Sequence, residues 1–348
     1  MKVAVYTIAL NEAQFVSRWH ESAKEADYLL IADTGSKDQT ARMAQRLGIN
    51  VVSISVKPWR FDDARNAALA LLPEDVDFCI ALDMDEVLLP GWRVALEKAL
   101  AEGWSRPRYK YTWSWNADGS PGLQYGGDKI HTRKNYRWKH PVHEVLSVYG
   151  SDETQGWVDL EIHHYPDATK PRSQYLPLLK MSIEEDPHDD RNAFYYAREL
   201  FFYRRIAEAA EQFKRHLALP KATWAPERAA AMRYLAKCEP ENREKWLVQA
   251  HLESPNRREA LVELAQHLYS VESWASCLHF AQKALQIKEK PLDYLCEEFA
   301  WGALPWDLAA ISAHYLGNKK AAVLYGAKAL ELSPNDARLK ANLSFYKA

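Results

Sequence analysis

The sequence predicts two successive parts: a mixed α/β domain over residues 1–168, and an all-helical domain over residues 169–348. Three observations carry this expectation. A chain of 348 residues is long enough for about two domains, each burying its own core. The first ninety residues alternate short Val- and Ile-rich runs with stretches of helical spacing, the mark of βαβ units and a mostly parallel sheet. After Pro166, apolar residues recur at helical spacing almost to the C-terminus.

In order, the predicted strands are Val3–Ile8, Tyr28–Ala32, Asn50–Val56 and Asp77–Leu82, with helices near Glu12–Ala26, Ser36–Leu47 and Asp62–Leu72 between them. Right-handed crossovers place the strand C-termini along one edge, where open α/β sheets bind ligands. The polar residues at those ends are therefore expected to be neighbours: Asn11 and Glu12, Asp33, Lys57 and Arg60, then Asp83 and Asp85. Gly35 and Gly48 are the only glycines here, so neither GxGxxG nor a P-loop is present. This disfavours a Rossmann dehydrogenase and a P-loop kinase. Residues 104–165 are aromatic and turn-rich, consistent with an antiparallel extension.

Composition narrows the classes further. A hydrophobic fraction of 47% with 26% charged residues excludes a disordered or collagen-like chain. The net charge of −2, from 45 Lys+Arg against 47 Asp+Glu, argues against a surface that coats nucleic acid throughout, but leaves a local basic patch open. Cys79, Cys238, Cys277 and Cys296 are scattered without metal-like spacing, which predicts four buried thiols and a reducing compartment. No apolar run approaches about 20 residues and no signal-peptide pattern opens the chain, so a soluble cytoplasmic protein without a membrane span is expected.

Asp83-Met84-Asp85, followed by Glu86, ends the fourth predicted strand. In extended backbone, residues i and i+2 project to one side, and two such carboxylates suit Mg²⁺ or Mn²⁺ with sites left open for diphosphate oxygens. An acidic strand end capping the next helix explains the same residues without a ligand. In "IADTGSKDQT", Gly35 makes a tight turn and Ser36 with Gln39 suggests a capping box, leaving the Asp33 carboxylate to face the crevice. "RFDDARNAAL" presents Arg65 and Asn66 at a helix start beside the same edge, suited to an anionic or nucleotide contact.

Asn11-Glu12, DTGSKDQT, ARN and DMDE, in this order, form a constellation that resembles glycosyltransferase family 2, of the GT-A fold, over roughly residues 1–168. The resemblance is nearest to the subgroup that joins such a domain to tetratricopeptide repeats. It implies donor-nucleotide contacts at Ala9, Asn11, Glu12, Asp33, Arg65, Asp83 and Met84, with Asp33 on the base, Asp83 on the ribose and Asp85 on a metal-bound diphosphate. "HPVHEVL" and "IHHYP" resemble later family segments, making His143 a candidate third metal ligand and His164 a weaker one, with His140 and His163 as rivals. For an inverting transfer the base must take the acceptor's proton, and Glu144 or Asp128 are the carboxylates considered. The chain lacks the Glu-Asp pair that marks the base in many family members.

"NKKAAVLYGAKALELSPND" (Asn318–Asp336) resembles the second helix and exit proline of a tetratricopeptide repeat, and segments from Arg204 and Glu272 align with it. Their small-residue anchors are Ala209, Cys277 and Ala322. The first spacing, 277 − 209 = 68, is two units of about 34 residues; the second, 322 − 277 = 45, requires an insertion around Pro291–Pro305.

Between Trp104 and His140, eight Lys/Arg face only Asp118 and Asp128, interleaved with eight aromatic residues. Three readings stand: a strand face packed on a second layer, a sugar-stacking acceptor platform, or a nucleic-acid face. The expected function is metal-dependent (Mn²⁺ or Mg²⁺), inverting transfer of a hexose or pentose from a nucleotide-sugar, a UDP-sugar first among them, to a glycan, peptide or DNA base. The alternative is a non-catalytic adaptor whose helical array binds a protein, with a vestigial nucleotide-binding domain. The helical part equally suits homodimerisation. A nucleotidyltransferase is disfavoured because its glycine-rich phosphate loop is missing.

Overall fold

The computed structural model describes residues 1–116, 118–150, 152–167 and 174–348. The chain divides into two compact units, Met1–Ser182 and Ile183–Ala348. The boundary expected at 168/169 lies outside the described residues.

In the first unit, β1 (Val3–Ala9), β2 (Tyr28–Asp33), β3 (Asn50–Ser53) and β4 (Phe78–Ala81) are joined through α1 (Val16–Ala23), α2 (Thr40–Arg46) and α3 (Phe61–Ala70). Then follow β5 (Glu86–Leu88), α4 (Trp92–Ala101), β6 (Arg108–Thr112), β7 (Gln124–Gly127), β8 (Ile130–Thr132), β9 (Tyr136–Lys139), β10 (Val145–Val148) and β11 (Trp157–His164), and α5 (Tyr175–Glu185) spans the division at Ser182. The main sheet has the order β3-β2-β1-β4-β8, parallel except for β8, which runs antiparallel to β4. A second sheet runs β5-β11-β6-β7, and β9 with β10 forms a separate antiparallel pair.

Both faces of the main sheet are buried, which is why its strands read as continuous apolar runs. Val3, Val5, Ile31, Phe78 and Ile80 pack with Trp19 and Trp92. The alternate residues Ala4, Tyr6, Leu30, Cys79 and Ala81 pack with Ala68, Leu69, Trp138 and Leu146, on the side of α3 and the β9–β10 pair. On that side, burial lowers the pKa of His131 to about 4, so the ring is neutral beside the Tyr6 hydroxyl at 3.2 Å.

The aromatic stripe divides. Tyr109 and Tyr111 are core residues of β6, which ends at Thr112; Trp113 beyond it stays beside Tyr111, both rings meeting Tyr125 and His164, whereas Trp115 packs on His163 and Tyr165. Tyr109 lies over Gly127 of β7, where an added Cβ would meet its ring. Of the cysteines, Cys79, Cys277 and Cys296 are buried, whereas Cys238 at the end of a helix is only half-buried; all four are free.

The second unit contains α6 (Asp190–Phe202), α7 (Ile206–Ala218), α8 (Ala225–Cys238), α9 (Arg243–Glu253), α10 (Glu259–Ser270), α11 (Trp274–Gln286), α12 (Leu304–Tyr315), α13 (Lys319–Leu332) and α14 (Ala337–Lys347). Each helix packs on the next, and α6 also touches α8 and α10 touches α12, as stacked helical hairpins do. The architecture is thus a mixed α/β unit followed by a tetratricopeptide-like helical unit. The anchors Ala209, Cys277 and Ala322 lie in α7, α11 and α13, each fully buried. Small residues there let adjacent helices approach closely. The expected insertion falls between α11 and α12 and holds a 3₁₀ turn at Glu298–Ala300. Asp189, Asn318 and Asp336 cap α6, α13 and α14 through their side chains. Among the described residues, no helix is long and apolar enough to cross a membrane.

Candidate functional site

The ends of β1 and β2 are tied together by their own polar groups. Thr34 donates to the Ala9 carbonyl from both its backbone N–H and its hydroxyl, at 2.9 and 3.0 Å. Asn11 takes a left-handed φ of 57°, donates its N–H to Ser36 Oγ and accepts from the Lys37 N–H at 2.8 Å. Glu12 is buried, and its N–H donates to Thr40 Oγ1. Asp33 differs from expectation: its Oδ1 accepts the Ser36 N–H at 3.0 Å and the Ser36 hydroxyl at 2.6 Å, so this carboxylate closes the turn itself. With Ser36 so engaged, the Ser36–Gln39 capping box does not form. Asp38 serves the helix start instead, accepting from the Thr40 N–H at 2.9 Å.

The Asp83–Glu86 segment is a turn, not an extended pair. Glu86 N–H donates to the Asp83 carbonyl at 2.9 Å, and Asp83 N–H donates back to Glu86 Oε2 at 2.8 Å. The two carboxylates therefore have separate partners. Asp83 accepts from Arg65 Nη2 and Lys129 Nζ, both at 2.7 Å. Burial alone would raise its pKa; the two cations outweigh that and hold it well below the usual carboxylate range. Met84, expected to face the nucleotide, is 2% exposed and belongs to the core. Glu86 is buried and accepts from Tyr111 Oη at 2.5 Å and Lys129 Nζ at 2.8 Å.

Asp85 Oδ2 lies 3.5 Å from His164 Nε2. The His164 ring stacks on Trp113, with centroids 4.3 Å apart, and its Nδ1–H donates to the Trp113 carbonyl at 2.9 Å. Burial would lower the His164 pKa, but the Asp85 hydrogen bond and the Trp113 carbonyl together raise it above the ordinary 6.5. In the neutral ring, the engaged Nδ1–H leaves the Nε2 lone pair beside Asp85 Oδ2. That nitrogen–oxygen set, oriented from behind by a carbonyl, fits Mn²⁺ in chemistry. Two protein ligands suffice where substrate phosphates complete the shell.

The other candidates are placed differently. His143, preferred over His164 from the sequence, takes a left-handed φ of 51° and its ring lies edge-on to Tyr175, 5.7 Å away. Among the described residues, no group of three or more His, Cys, Asp or Glu could hold a metal ion, so His143 does not join Asp85 and His164 in one cluster. Glu144 accepts from Arg65 Nε at 2.5 Å, and Asp128 pairs with Arg106 at 3.0 Å and Arg108 at 3.4 Å. Neither carboxylate stands apart as a base.

Arg65 is the centre of the arrangement. It is 5% exposed, bridges Asp83 and Glu144, and places its guanidinium 5.0 Å from the Trp138 ring centroid. Its Nη1 is buried without a hydrogen-bond partner among the described residues, an unmet donor of the kind a ligand oxygen satisfies. Lys129 was missed from the sequence because it reaches Asp83 only through the antiparallel addition of β8 to β4, where Ala81 N–H donates to the Lys129 carbonyl at 3.1 Å. Trp113, 43% exposed beside His164, was visible only as one member of the stripe.

No protein-family model matches the chain, and no curated protein matches it. Solved structures similar to it include PilF of Pseudomonas aeruginosa, at 15% identity and a TM-score of 0.38 over 49% of this chain and 71% of that one. A thermophilic TPR protein of Thermus thermophilus matches at 16% identity and a TM-score of 0.34, over 50% of this chain and 90% of its own. YrrB, described as a TPR protein with an unusual peptide-binding site, matches at 16% identity and 0.37, over 51% and 84%. Likeness at this level carries no function across.

Proposed function

We propose that the α/β unit binds a nucleotide-sugar and transfers its sugar to an acceptor with the aid of a divalent cation. The observation that supports this most is the polar set at the C-terminal edge of the parallel sheet: Asp85 beside His164, and, on Asp83 two residues before, Arg65 with its unmet Nη1. Asp85 and His164 would hold Mn²⁺ or Mg²⁺, and such a cation, when bound, neutralises charge on a departing diphosphate. Arg65 offers its spare N–H to an anionic or nucleotide oxygen, while Lys129 and Arg65 keep Asp83 ionised. Asn11 and Asp33 shape the neighbouring turn at the nucleotide end. A UDP-sugar is the first donor to test, and inversion follows only from the family resemblance.

A second reading is a non-catalytic adaptor that binds a protein through its helical unit. Particular observations favour it: stacked hairpins make up that unit, Asp83 and Glu144 are engaged in ion pairs, and the comparisons offer sugar transfer no support. On those observations partner binding is the better-supported of the two.

Thermal unfolding against nucleoside diphosphates and nucleotide-sugars, with and without Mn²⁺, separates the readings. Ligand binding to the native state raises the midpoint by its linkage free energy. A Mn²⁺-dependent shift with one nucleotide, lost in Asp85→Ala, supports the transferase. No shift with any nucleotide, from folded protein, leaves the adaptor.

A further inference from the structure

The basic window of residues 104–140 separates into two populations. Arg106, Arg108, Lys110 and Lys129 are held by carboxylates, and Arg133 donates to the carbonyls of Leu72 and Pro73. Lys134, Arg137 and Lys139 are exposed, with no carboxylate partner among the described residues. The β9–β10 register explains why. Tyr136 and Trp138 of β9, with Leu146 of β10, turn inward to the core. Arg137 and Lys139, with Ser147 opposite Arg137, occupy the other face, which Tyr149 extends in step just beyond β10.

That outer face borders a cavity of about 500 Å³, lined by Asn66, Arg137, Lys139, Ser147, Val148 and Tyr149 and by no carboxylate. Tyr149 is 54% exposed, and neither its hydroxyl nor its ring has a partner among the described residues. Cations that track phosphates, set beside a free aromatic face, are the recurring composition of single-strand nucleic-acid sites. An acidic peptide would use the cations but would leave the Tyr149 ring idle.

We propose that the outer face of the β9–β10 pair binds single-stranded nucleic acid, with Arg137 and Lys139 on phosphates and Tyr149 stacked on a base. Asn66, which lines this cavity, follows Arg65 of the donor-side network directly in sequence. A strand bound here therefore lies beside the proposed donor edge. Its role as sugar acceptor rests on the transferase reading, whereas the binding itself does not.

The test is fluorescence anisotropy of a labelled single-stranded oligodeoxynucleotide of about 15 nucleotides, with the full chain, across a salt series. Saturable binding should weaken as salt rises. Arg137→Gln/Lys139→Gln should weaken it at least about tenfold and lower the log–log salt slope by about 1.4, two contacts at about 0.7 each. Tyr149→Ala should weaken it about tenfold with the slope kept. All three positions are exposed, so folding is expected to persist, checked by far-UV circular dichroism. A Mn²⁺–nucleotide thermal shift unchanged in these variants would separate this surface from the donor site. Absent binding by folded protein overturns the proposal. So does polyglutamate binding as tight as the oligonucleotide's, or indifference to Tyr149→Ala, each of which would leave only a surface for polyanions in general.

Discussion

Arg65 shows how one buried cation can order several carboxylates. Its removal would leave Asp83 and Glu144 short of a partner in a largely dry setting, a change that typically costs about 3 kcal/mol or more. Arg65→Met is expected to lower the urea midpoint accordingly, with an unchanged m-value. Glu227 offers a second residue-scale test. It is 3% exposed, accepts a hydrogen bond from Tyr294 Oη at 2.7 Å, and burial raises its pKa from 4.5 to about 7. The folded chain thus binds this proton more tightly than the unfolded one. The resulting stabilisation is complete below about 4.5 and is lost as pH rises through about 7. It amounts to about 3 kcal/mol at most. Urea midpoints measured across this window should fall with rising pH, and Glu227→Gln should flatten that dependence.

Among the elements, two close approaches are exposed to simple substitution. In the helical unit, Ala322→Leu would drive a branched side chain into a fully buried position of α13, and overpacking of this kind costs about 1–3 kcal/mol. Gly127→Ala would set a Cβ against the Tyr109 ring and should cost a similar amount, read from the same unfolding curves. The sequence revealed the elements where periodicity is local: the first four strands and the anchored helices all lie where their apolar spacing puts them. It was less informative about element ends. Asp62–Leu72 became Phe61–Ala70, and the third strand stopped at Ser53. The turn at Asp83–Glu86 was missed because it closes on a backbone bond and a return bond to the Glu86 side chain, neither of which any alternation of apolar and polar residues records.

Across the whole molecule, the α/β-then-helical order was readable, but partner assignments within the site were not. Asp85 meets His164 through the pairing of β5 with β11, and Asp83 meets Lys129 through β8, contacts made across 79 and 46 positions of sequence. Spacing along a chain does not encode such pairings. The residues of the motifs could be found, whereas which ones are already paired with each other could not. The four free cysteines give a molecule-wide expectation: the unfolding midpoint of fresh protein should be the same with and without reductant. A reductant-dependent shift would require a disulfide that this fold does not contain.

The pairing of Asn66 with Trp138 carries a consequence for how the α/β unit responds to ligands. The Asn66 amide clamps both backbone groups of Trp138, at 2.9 Å to its carbonyl and 2.8 Å from its N–H, while the preceding residue grips Asp83. One turn of α3 thus bonds to both the proposed donor edge and the β9–β10 pair. A ligand that orders one end is expected to order the other, and linkage makes such an effect mutual. On the transferase reading, nucleotide binding should therefore slow amide hydrogen exchange in β9, and Asn66→Ala should uncouple that response.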